Sequence, residues 1–237
     1  MTTYVVLPTY NEAENIPLLV PQLLELPGAL RVIVVDDASP DGTGAIADGL
    51  AAAHPDRVVV IHRAGKLGLG TAYLAGFRRA FALEADGILT MDADFSHDPQ
   101  YIPALLARGA EADLVIGSRY VASGGAVNSP RMRRLISRSA NGIAHLLLRL
   151  RPRDVTAGFR WYRREALQSL PLDGVFSSGY SFLIELLYLV EQRGWRVAEI
   201  PIRFHDRRRG QSKISRNEIL KALYTVVRLF YRRQRGR

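Results

Sequence analysis

The sequence predicts an α/β protein with a mostly parallel sheet that is covered by helices on both faces. Short runs rich in β-branched residues recur along the chain, and segments of helical length separate them. The chain has 237 residues, of which 48% are hydrophobic, so it can form a substantial core. In open sheets of this kind, ligands bind where the parallel strands end.

The predicted elements follow in a regular order through the first half of the chain and less regularly through the second. Strands are predicted at residues 4–7, 32–35, 58–61, 88–91 and 114–116, and later at 158–163 and 195–202. Helices are predicted at residues 12–26, 42–53 and 69–83, and later at 132–150, 180–192 and 214–232. Gly124 and Gly125 predict a mobile loop. One domain with an appended C-terminal helix is the expected organisation.

The charge of the chain changes sign after Ser118. Residues 1–118 carry 7 Lys or Arg against 15 Asp or Glu, whereas residues 119–237 carry 25 against 8, so their net charges are −8 and +17. We expect the basic half to face a nucleic acid, a phospholipid surface or a phosphorylated substrate.

The absence of cysteine excludes disulfides and thiolate chemistry. Without a signal-like amino terminus or a membrane-spanning stretch, the sequence predicts a cytoplasmic location.

Polar clusters follow four of the predicted strands. They lie at residues 8–12, at residues 36–37, at residues 92–94 and at residues 117–119. Because the carboxyl ends of parallel strands share one edge of a sheet, we expect these clusters to converge on a single rim.

The stretch MDADFSHDP, residues 91–99, holds three carboxylates. Asp92 and Asp94 alternate with a small residue and follow a strand, which favours a divalent metal bound together with phosphate oxygens. The simpler alternative is turn and capping chemistry. We assign Asp98 to that structural role, because an N-cap residue before a proline is typical of a helix start.

The other polar segments carry weaker predictions. Asp36 and Asp37 are candidates to accept hydrogen bonds from ribose hydroxyls or base N–H groups, or they belong to a polar loop with Asp41 or Thr43 as a helix cap. Residues 66–70, KLGLG, lack the spacing of a P-loop and fit a loop-to-helix entry equally well. The five histidines do not have zinc-ligand spacing.

The second half of the chain carries basic clusters and a final amphipathic helix. The arginine-rich clusters suit phosphate, since a guanidinium binds it through two parallel hydrogen bonds. The last helix has an apolar stripe that either packs on the core or lies in an anionic membrane interface. The stripe and the cations beside it are Ile219, Leu220, Leu223, Val226, Val227, Phe230, Lys221, Arg228, Arg232 and Arg233.

In order, the segments PTYNE, DDASPDGT, KLGLGTA, MDADFSHDP, GSRY, DVTAGFRWYR and RRRGQSK cover nearly the whole chain. Their set resembles the polyprenol-phosphate (dolichyl-phosphate) mannose synthases. These are inverting glycosyltransferases of the GT-A fold that transfer mannose from GDP-mannose to a lipid phosphate. The basic second half and the GQSK tail are similar to the lipid-phosphate branch of GT-A transferases.

The resemblance implies a role for each matching residue. The donor nucleotide would contact Pro8, Tyr10, Glu12, Val35, Asp37, Asp92, Ala93, Asp94, Arg207 and Lys213. Mg²⁺ or Mn²⁺ would be held by Asp92 and Asp94, and the acceptor phosphate by Arg119, Arg133 and Ser137. Asp94, Arg119 and Arg133 would be the catalytic residues. Ser96 stands where the family often has glutamine, and many relatives carry C-terminal membrane spans that this chain lacks.

The resemblance also implies a domain division and a set of partners. Residues 1–213 would be the catalytic GT-A domain, with a donor-binding half at 1–118 and an acceptor-side half at 119–213. Residues 214–237 would be a basic amphipathic helix that associates with an anionic membrane surface at its cytoplasmic face. The expected substrates are GDP-mannose and membrane-embedded polyprenyl phosphate, and no nucleic acid is expected.

The chemistry of a phosphate acceptor agrees with the lack of an obvious general base. A lipid monophosphate has a second pKa near ~6, so it is ionised at neutral pH and attacks directly. Three alternatives stay open: a UDP-glucose-dependent polyprenyl-phosphate glucosyltransferase, a basic nucleic-acid-binding module suggested by the pI of about 10.1, and a sugar-nucleotide sensor without turnover.

Overall fold

A computed structural model describes residues 1–127, 131–179, 181–205 and 216–235, without the side chains of residues 131–138, 140, 216–219 and 235. The strands in this part of the chain are β1 (Thr3–Thr9), β2 (Arg31–Asp36), β3 (Val58–His62), β4 (Gly87–Thr90), β5 (Leu114–Ser118), β6 (Gly125–Val127), β7 (Arg160–Arg163), β8 (Val197–Pro201) and β9 (Arg203–His205). The helices are α1 (Ile16–Glu25), α2 (Thr43–Ala53), α3 (Leu69–Ala82), α4 (Ile102–Arg108), α5 (Arg131–Leu148), α6 (Arg164–Gln168), α7 (Ser181–Gln192) and α8 (Arg216–Arg235). Single 3-10 turns lie at Pro99–Tyr101 and Leu172–Gly174.

A seven-stranded sheet with the order β3-β2-β1-β4-β7-β5-β8 forms the centre of the structure. Its strands are parallel except β7, which runs antiparallel between β4 and β5. A second, two-stranded parallel sheet joins β6 to β9. The mostly parallel sheet predicted from the sequence is confirmed.

The sheet separates two hydrophobic cores. Successive residues of a strand point to opposite faces, so Val6 belongs to one core and Val5 to the other. Buried residues of α3, α5, α7 and α8 line the first core, and those of α1, α2 and α4 line the second. The prediction of helices on both faces is therefore confirmed, and the rim between the two layers is left for the loops.

The first helix begins later than predicted, at Ile16 instead of residue 12. Asn11 has a left-handed φ of 60°, and the backbone N–H of Glu12 donates to the hydroxyl of Thr43 rather than to a helical carbonyl. The short elements α4, α6, β6 and β9 were not predicted, because three to seven residues are too few for a periodic signal.

The predicted loop at Gly124 and Gly125 is wrong for the second glycine, which begins strand β6. A Cβ on Gly124 would lie 2.6 Å from the carbonyl oxygen of Ser118, so the chain returns here to the end of β5 at a distance that only glycine allows. Glycine is therefore required at position 124 because the backbone there approaches the backbone of Ser118 closely.

The C-terminal helix α8 packs against α5 and α7 and buries Val226 and Leu229 in the first core. Part of its apolar stripe therefore packs as a core face. Arg228 and Arg232 lie over the ring of Phe176, with their guanidinium carbons 3.9 and 5.1 Å from its centroid. Both cations therefore hold α8 to the body of the protein, and the membrane-interface alternative for this helix stays a prediction. None of the helices described combines the length and apolarity needed to cross a bilayer.

Candidate active site

The predicted site residues meet at the carboxyl edge of the large sheet. Asp37 follows β2, Tyr10 follows β1, Asp92 and Asp94 follow β4, and Arg119 follows β5. Because the strand order is β2-β1-β4-β7-β5, these side chains form a row along the rim in that order. The two ends of the row, after β2 and β5, are four strand intervals apart, which leaves room for an extended ligand.

Asp37, at one end of the row, is a buried carboxylate paired with Arg63. Its Oδ2 accepts a hydrogen bond from the Leu67 amide at 3.2 Å. Arg63 Nη1 lies 3.0 Å from Oδ1 but is not aligned as a hydrogen-bond donor, so within the described residues this buried oxygen accepts no hydrogen bond. Burial raises the pKa of Asp37 more than the Arg63 charge lowers it. A base or ribose donor would satisfy this oxygen.

The neighbouring Asp36 has a structural role. Its carboxylate accepts hydrogen bonds from the Ser39 amide at 3.0 Å, the Ser39 hydroxyl at 2.6 Å and the Thr9 hydroxyl at 3.0 Å. Asp41 accepts from the amide of Thr43 at 3.1 Å just before α2, but the N-cap position is Gly42, which has no side-chain cap bond, so Asp41 and Thr43 are not the cap. Asp36 and Asp41 therefore stabilise the loop through hydrogen bonds within the protein, whereas the carboxylate of Asp37 faces the rim.

The remaining residues predicted to contact the nucleoside lie in different environments. Lys66 Nζ lies 4.1 Å from the centroid of the Tyr10 ring, so the KLGLG loop folds onto this end of the rim. Glu12 Oε2 accepts a hydrogen bond from the Asn15 side chain at 2.7 Å. Pro8 pairs with Val35 across β1 and β2, and the Val35 side chain is fully buried in the first core. A contact of Val35 with the nucleotide would therefore have to use its backbone, and the assignment stays a prediction.

The carboxylates after β4 are held by a tight turn. Asp94 is buried, and its Oδ1 accepts the Ser96 amide at 3.0 Å, while the Asp92 amide donates to His97 Nδ1 at 2.9 Å. Ala93 between them is buried, and Phe95 adopts a left-handed φ of 61°. A non-glycine residue in this region is strained and persists where the surroundings determine it.

The donor set of this turn fits a hard divalent cation. Asp92 and Asp94 supply carboxylate oxygens, and the buried Ser96 hydroxyl beside them has no hydrogen-bond partner in the described part of the chain. No group of three or more acidic or histidine side chains among the described residues forms a metal cluster, so phosphate and water oxygens would complete the coordination. Asp98 accepts the Gln100 amide at 2.9 Å, which confirms its predicted capping role.

His97 closes the same turn from the core side. Its ring is buried, stacks on Phe159 with centroids 5.0 Å apart and meets the edge of Phe204 at 5.5 Å. Burial lowers the pKa of His97, although Asp92 and Asp94 pull in the opposite direction. The lone pair of Nδ1 accepts the Asp92 amide, which places the remaining imidazole proton on Nε2.

Arg119, at the other end of the row, is held by a buried carboxylate. Its Nε and Nη2 donate to Asp154 at 2.8 Å each, and Nη2 also donates to the Thr156 hydroxyl at 2.8 Å. Burial raises the pKa of Asp154, but the charge and hydrogen bonds of Arg119 outweigh it and leave the pKa below its usual value. A cavity of about 490 Å³ lies beside Arg119, and Arg153 and His145 also line it.

The segment that carries Asp154 is fixed by side chains from three other elements. Glu199 accepts the amides of Arg153 at 2.8 Å and Asp154 at 3.0 Å, and Asn141 accepts the amide of Val155 at 2.8 Å. The fully buried Arg160 donates to the Val155 carbonyl at 2.8 Å. Each of these contacts restricts the backbone, so the carboxylate that holds Arg119 has a defined position.

Four predicted site residues cannot be placed against this geometry. The side chains of Arg133 and Ser137 lie outside the described residues, although their backbone belongs to α5. Arg207 and Lys213 lie in residues 206–215, which are also outside the described part.

Sequence reasoning missed Arg63, His97, Asp154 and Phe204. Asp154 opens the stretch DVTAGFRWYR, which was noted only as part of a resemblance, and His97 lies in the metal motif itself. Arg63, Asp154 and Phe204 act on residues far away in sequence, so neither spacing nor local pattern could identify their partners. For His97 the signal that existed was its position within the turn that carries Asp92.

Known proteins resemble the chain over most of its length. Residues 4–170 match the sequence model of glycosyl transferase family 2. The chain is 47% identical to polyprenol monophosphomannose synthase of Mycolicibacterium smegmatis, over 95% of this chain and 85% of that protein. It is 43% identical to undecaprenyl-phosphate mannosyltransferase of Micrococcus luteus, over 96% of this chain and 93% of that protein.

Solved structures share its fold at lower identity. Mannosyl-3-phosphoglycerate synthase of Rubrobacter xylanophilus is 23% identical with a TM-score of 0.68, covering 100% of this chain and 74% of that chain. Glucosyl-3-phosphoglycerate synthase of Mycobacterium tuberculosis, solved with Mn²⁺, UDP and glucosyl-3-phosphoglycerate, is 23% identical with a TM-score of 0.63, covering 98% and 79%. These likenesses confirm the GT-A fold.

Proposed function

The chain belongs to glycosyl transferase family 2, and on that premise we propose that it transfers mannose from GDP-mannose to a polyprenyl monophosphate with inversion. The observation that carries the proposal is the row Asp37, Asp92 and Asp94, then Arg119 along one sheet edge. In this row Asp37 would recognise the nucleoside, the metal held by Asp92 and Asp94 would bind the diphosphate, and Arg119 would bind the acceptor phosphate. The names of the two mannosyl-transferring relatives support both the donor sugar and the acceptor class.

The donor nucleotide would bind across β2, β1 and β4. Asp37 is a buried carboxylate paired with Arg63 at 3.0 Å, and it would receive an N–H group of the base at Oδ1, which lacks a hydrogen bond among the described residues. Tyr10 and Glu12 would line the nucleoside, with Pro8 behind them. Arg207 and Lys213 would approach the phosphates from residues 206–215, which the structure does not describe.

Asp92 and Asp94 would hold Mg²⁺ or Mn²⁺ at the diphosphate. When bound, the cation supplies positive charge that stabilises the leaving diphosphate. The protein contributes a preformed turn, since Asp94 and the Asp92 backbone are already fixed by the Ser96 amide and His97.

The acceptor phosphate would bind beside Arg119. Asp154 fixes the guanidinium, the adjoining cavity has room for a phosphate group, and Arg153 adds a second cation to its lining. Arg133 and Ser137 would complete this subsite from α5. Positioning the two substrates in line accounts for much of the rate that such a site provides.

The transfer itself does not require a general base. A phosphate oxygen of the acceptor forms a bond to C1 of mannose while the bond from C1 to the diphosphate oxygen breaks, and the electron pair leaves with GDP. The attacking phosphate is ionised at neutral pH, because its second pKa is near ~6, so no proton has to be removed. Arg119 would hold the acceptor charge close to the sugar, and attack from the face opposite the diphosphate inverts the anomeric centre.

A long-chain acceptor also requires the protein to reach the bilayer, and α5 and α8 offer a surface for this. The two helices pack against each other and expose large apolar side chains: Ile143, Leu146, Leu220, Leu223, Tyr224, Val227 and Tyr231. We propose that this surface binds the cytoplasmic face of an anionic membrane, supported by the net charge of +17 on residues 119–237.

The proposed function is tested by extraction of lipid product. The purified protein is incubated with Mn²⁺, polyprenyl phosphate and radiolabelled GDP-mannose or UDP-glucose, and label is counted in the organic phase. Label from GDP-mannose alone is the expected result. Label from UDP-glucose alone would replace the donor, and no label from either would overturn the proposal and leave a sensor or a nucleic-acid-binding protein to be tested by salt-dependent DNA shift.

A further inference from the structure

We propose that His97 is a positioning residue that sets the affinity of Asp92 and Asp94 for the divalent cation. The inference rests on the proposed function, since it concerns the same metal site. His97 lies at the end of the turn that begins with Asp92, and its Nδ1 accepts the Asp92 amide at 2.9 Å. The imidazole therefore joins the two ends of the segment that carries both carboxylates.

Several hydrogen bonds contribute to the shape of this turn. Phe95 in its middle has a left-handed φ of 61°, and the contacts across the turn include the bond from the Ser96 amide to Asp94 and the bond from the Asp92 amide to His97. The His205 amide adds a third contact by donating to the Ser96 carbonyl at 3.2 Å. Loss of the imidazole acceptor would remove a bond that holds the Asp92 end of the turn.

The imidazole is itself fixed on two sides. Phe159 stacks on it at 5.0 Å with planes 19° apart, and Phe204 meets it edge-on at 5.5 Å. Phe204 also lies 5.4 Å from the guanidinium carbon of Arg119. His97 is therefore held by a ring that contacts the acceptor side, and it transmits that fixed position to the metal-binding turn.

A space-filling role alone does not account for this arrangement. A phenylalanine would fill the aromatic slot between Phe159 and Phe204, but it offers no acceptor to the Asp92 amide. Partners that orient metal ligands from behind commonly change metal affinity by about 10- to 100-fold when they are removed. The test is therefore to separate the ring from the acceptor.

Three variants make this separation. His97→Asn keeps an acceptor oxygen at the position of Nδ1 but loses the ring, His97→Phe keeps the ring but loses the acceptor, and His97→Gln moves the amide one carbon too far. Mn²⁺ binding is measured by calorimetry, with Mn²⁺ alone and with Mn²⁺ together with GDP. Thermal unfolding of the metal-free proteins is recorded beside it.

We expect His97→Phe and His97→Gln to weaken Mn²⁺ binding by about tenfold or more, and His97→Asn to stay within about threefold of the wild type. Wild-type affinity in His97→Phe, or equal weakening in His97→Phe and His97→Asn, would overturn the inference, as would a wild-type protein that does not bind Mn²⁺. If His97→Phe does not fold, His97→Gln against His97→Asn decides. The calorimetric measurement of Mn²⁺ and GDP binding does not depend on sugar transfer. If the proposed function failed, the effect of His97 on Mn²⁺ affinity would therefore still be valid.

Discussion

Arg119 donates two parallel hydrogen bonds to the carboxylate of Asp154, from Nε to Oδ2 and from Nη2 to Oδ1, both at 2.8 Å. Asp154 is fully buried, and the side chain of Arg119 is 18% exposed, so the pair joins the core to the rim. A two-pronged contact fixes the plane of a guanidinium as well as its position. The acceptor end of the site is thereby preorganised by a residue that lies 35 positions away in sequence.

Replacement of Asp154 by Asn should raise the KM for polyprenyl phosphate by about tenfold and leave the KM for GDP-mannose unchanged. The reason is that Arg119 loses one of its two parallel hydrogen bonds to this side chain. Breaking a buried ion pair should also lower the free energy of unfolding by about 3 kcal/mol. Initial rates with each substrate varied in turn, and urea unfolding, measure the two effects.

The matched control is Asp113→Asn. Asp113 is a buried carboxylate paired with Arg163 at 2.9 Å, and it lies just before β5, at the opposite edge of the sheet from Arg119. It should lower stability without changing either KM. An equal rise in the acceptor KM for both variants would mean that lost stability, and not the position of Arg119, explains the effect.

The Asp154 pair should also contribute to acid sensitivity. Its folded-state pKa lies below the unfolded value of about 3.9, so the carboxylate stabilises the protein above that pH and its contribution is lost as pH falls through the folded-state pKa. Urea unfolding between about pH 6 and pH 3 should show a steeper loss in the wild type than in Asp154→Asn below about pH 4. Parallel curves would contradict the assignment.

Asp94→Ala should abolish sugar transfer while the fold stays intact, because the metal loses a ligand that the turn presents from the core. Circular dichroism and the organic-phase assay report the two properties. Asp98→Ala is the control in the same stretch: loss of its cap should cost about 1 kcal/mol of stability and leave transfer unchanged. Retained activity in Asp94→Ala would remove it from the metal site.

Asp37→Asn should weaken GDP binding by about tenfold, since a hydrogen bond to a charged acceptor contributes about 1.5 kcal/mol or more. Calorimetric titration with GDP and Mn²⁺ measures the change. Asp48→Asn serves as the comparison, because Asp48 is exposed on α2 and pairs with His62. Wild-type affinity in Asp37→Asn would exclude Asp37 from base recognition.

The double substitution of Leu146 and Tyr231 by Ser should reduce co-sedimentation with phosphatidylglycerol vesicles at low salt by about tenfold or more, because each large apolar side chain contributes about 1.5 kcal/mol or more when buried. Leu18→Ser is the matched control, since Leu18 is 57% exposed on α1, which covers the opposite face of the sheet. Equal loss in both proteins would show that the α5 and α8 surface is not the docking face.

Local sequence determined the strands, the polar clusters at a shared rim and the cap at Asp98. Each of these depends on residues within a few positions: a β-branched run, a polar cluster directly after it, or a carboxylate before a proline. The placing of Asp37, Asp94 and Arg119 at one edge followed from one further rule, that parallel strands end at the same edge, whereas their order along it came from the strand order of the sheet. These relations are short-range, so the sequence carries them without the fold.

Only the tertiary structure decided which of these residues are fixed and by what. Strand β7 enters antiparallel between β4 and β5, and this brings Asp154 to the rim beside Arg119. Strand β9 brings Phe204 to His97, and the core face of α8 brings Arg228 to Phe176. Such contacts depend on strand order and packing across dozens of residues, and a pattern read over a few positions does not contain that information.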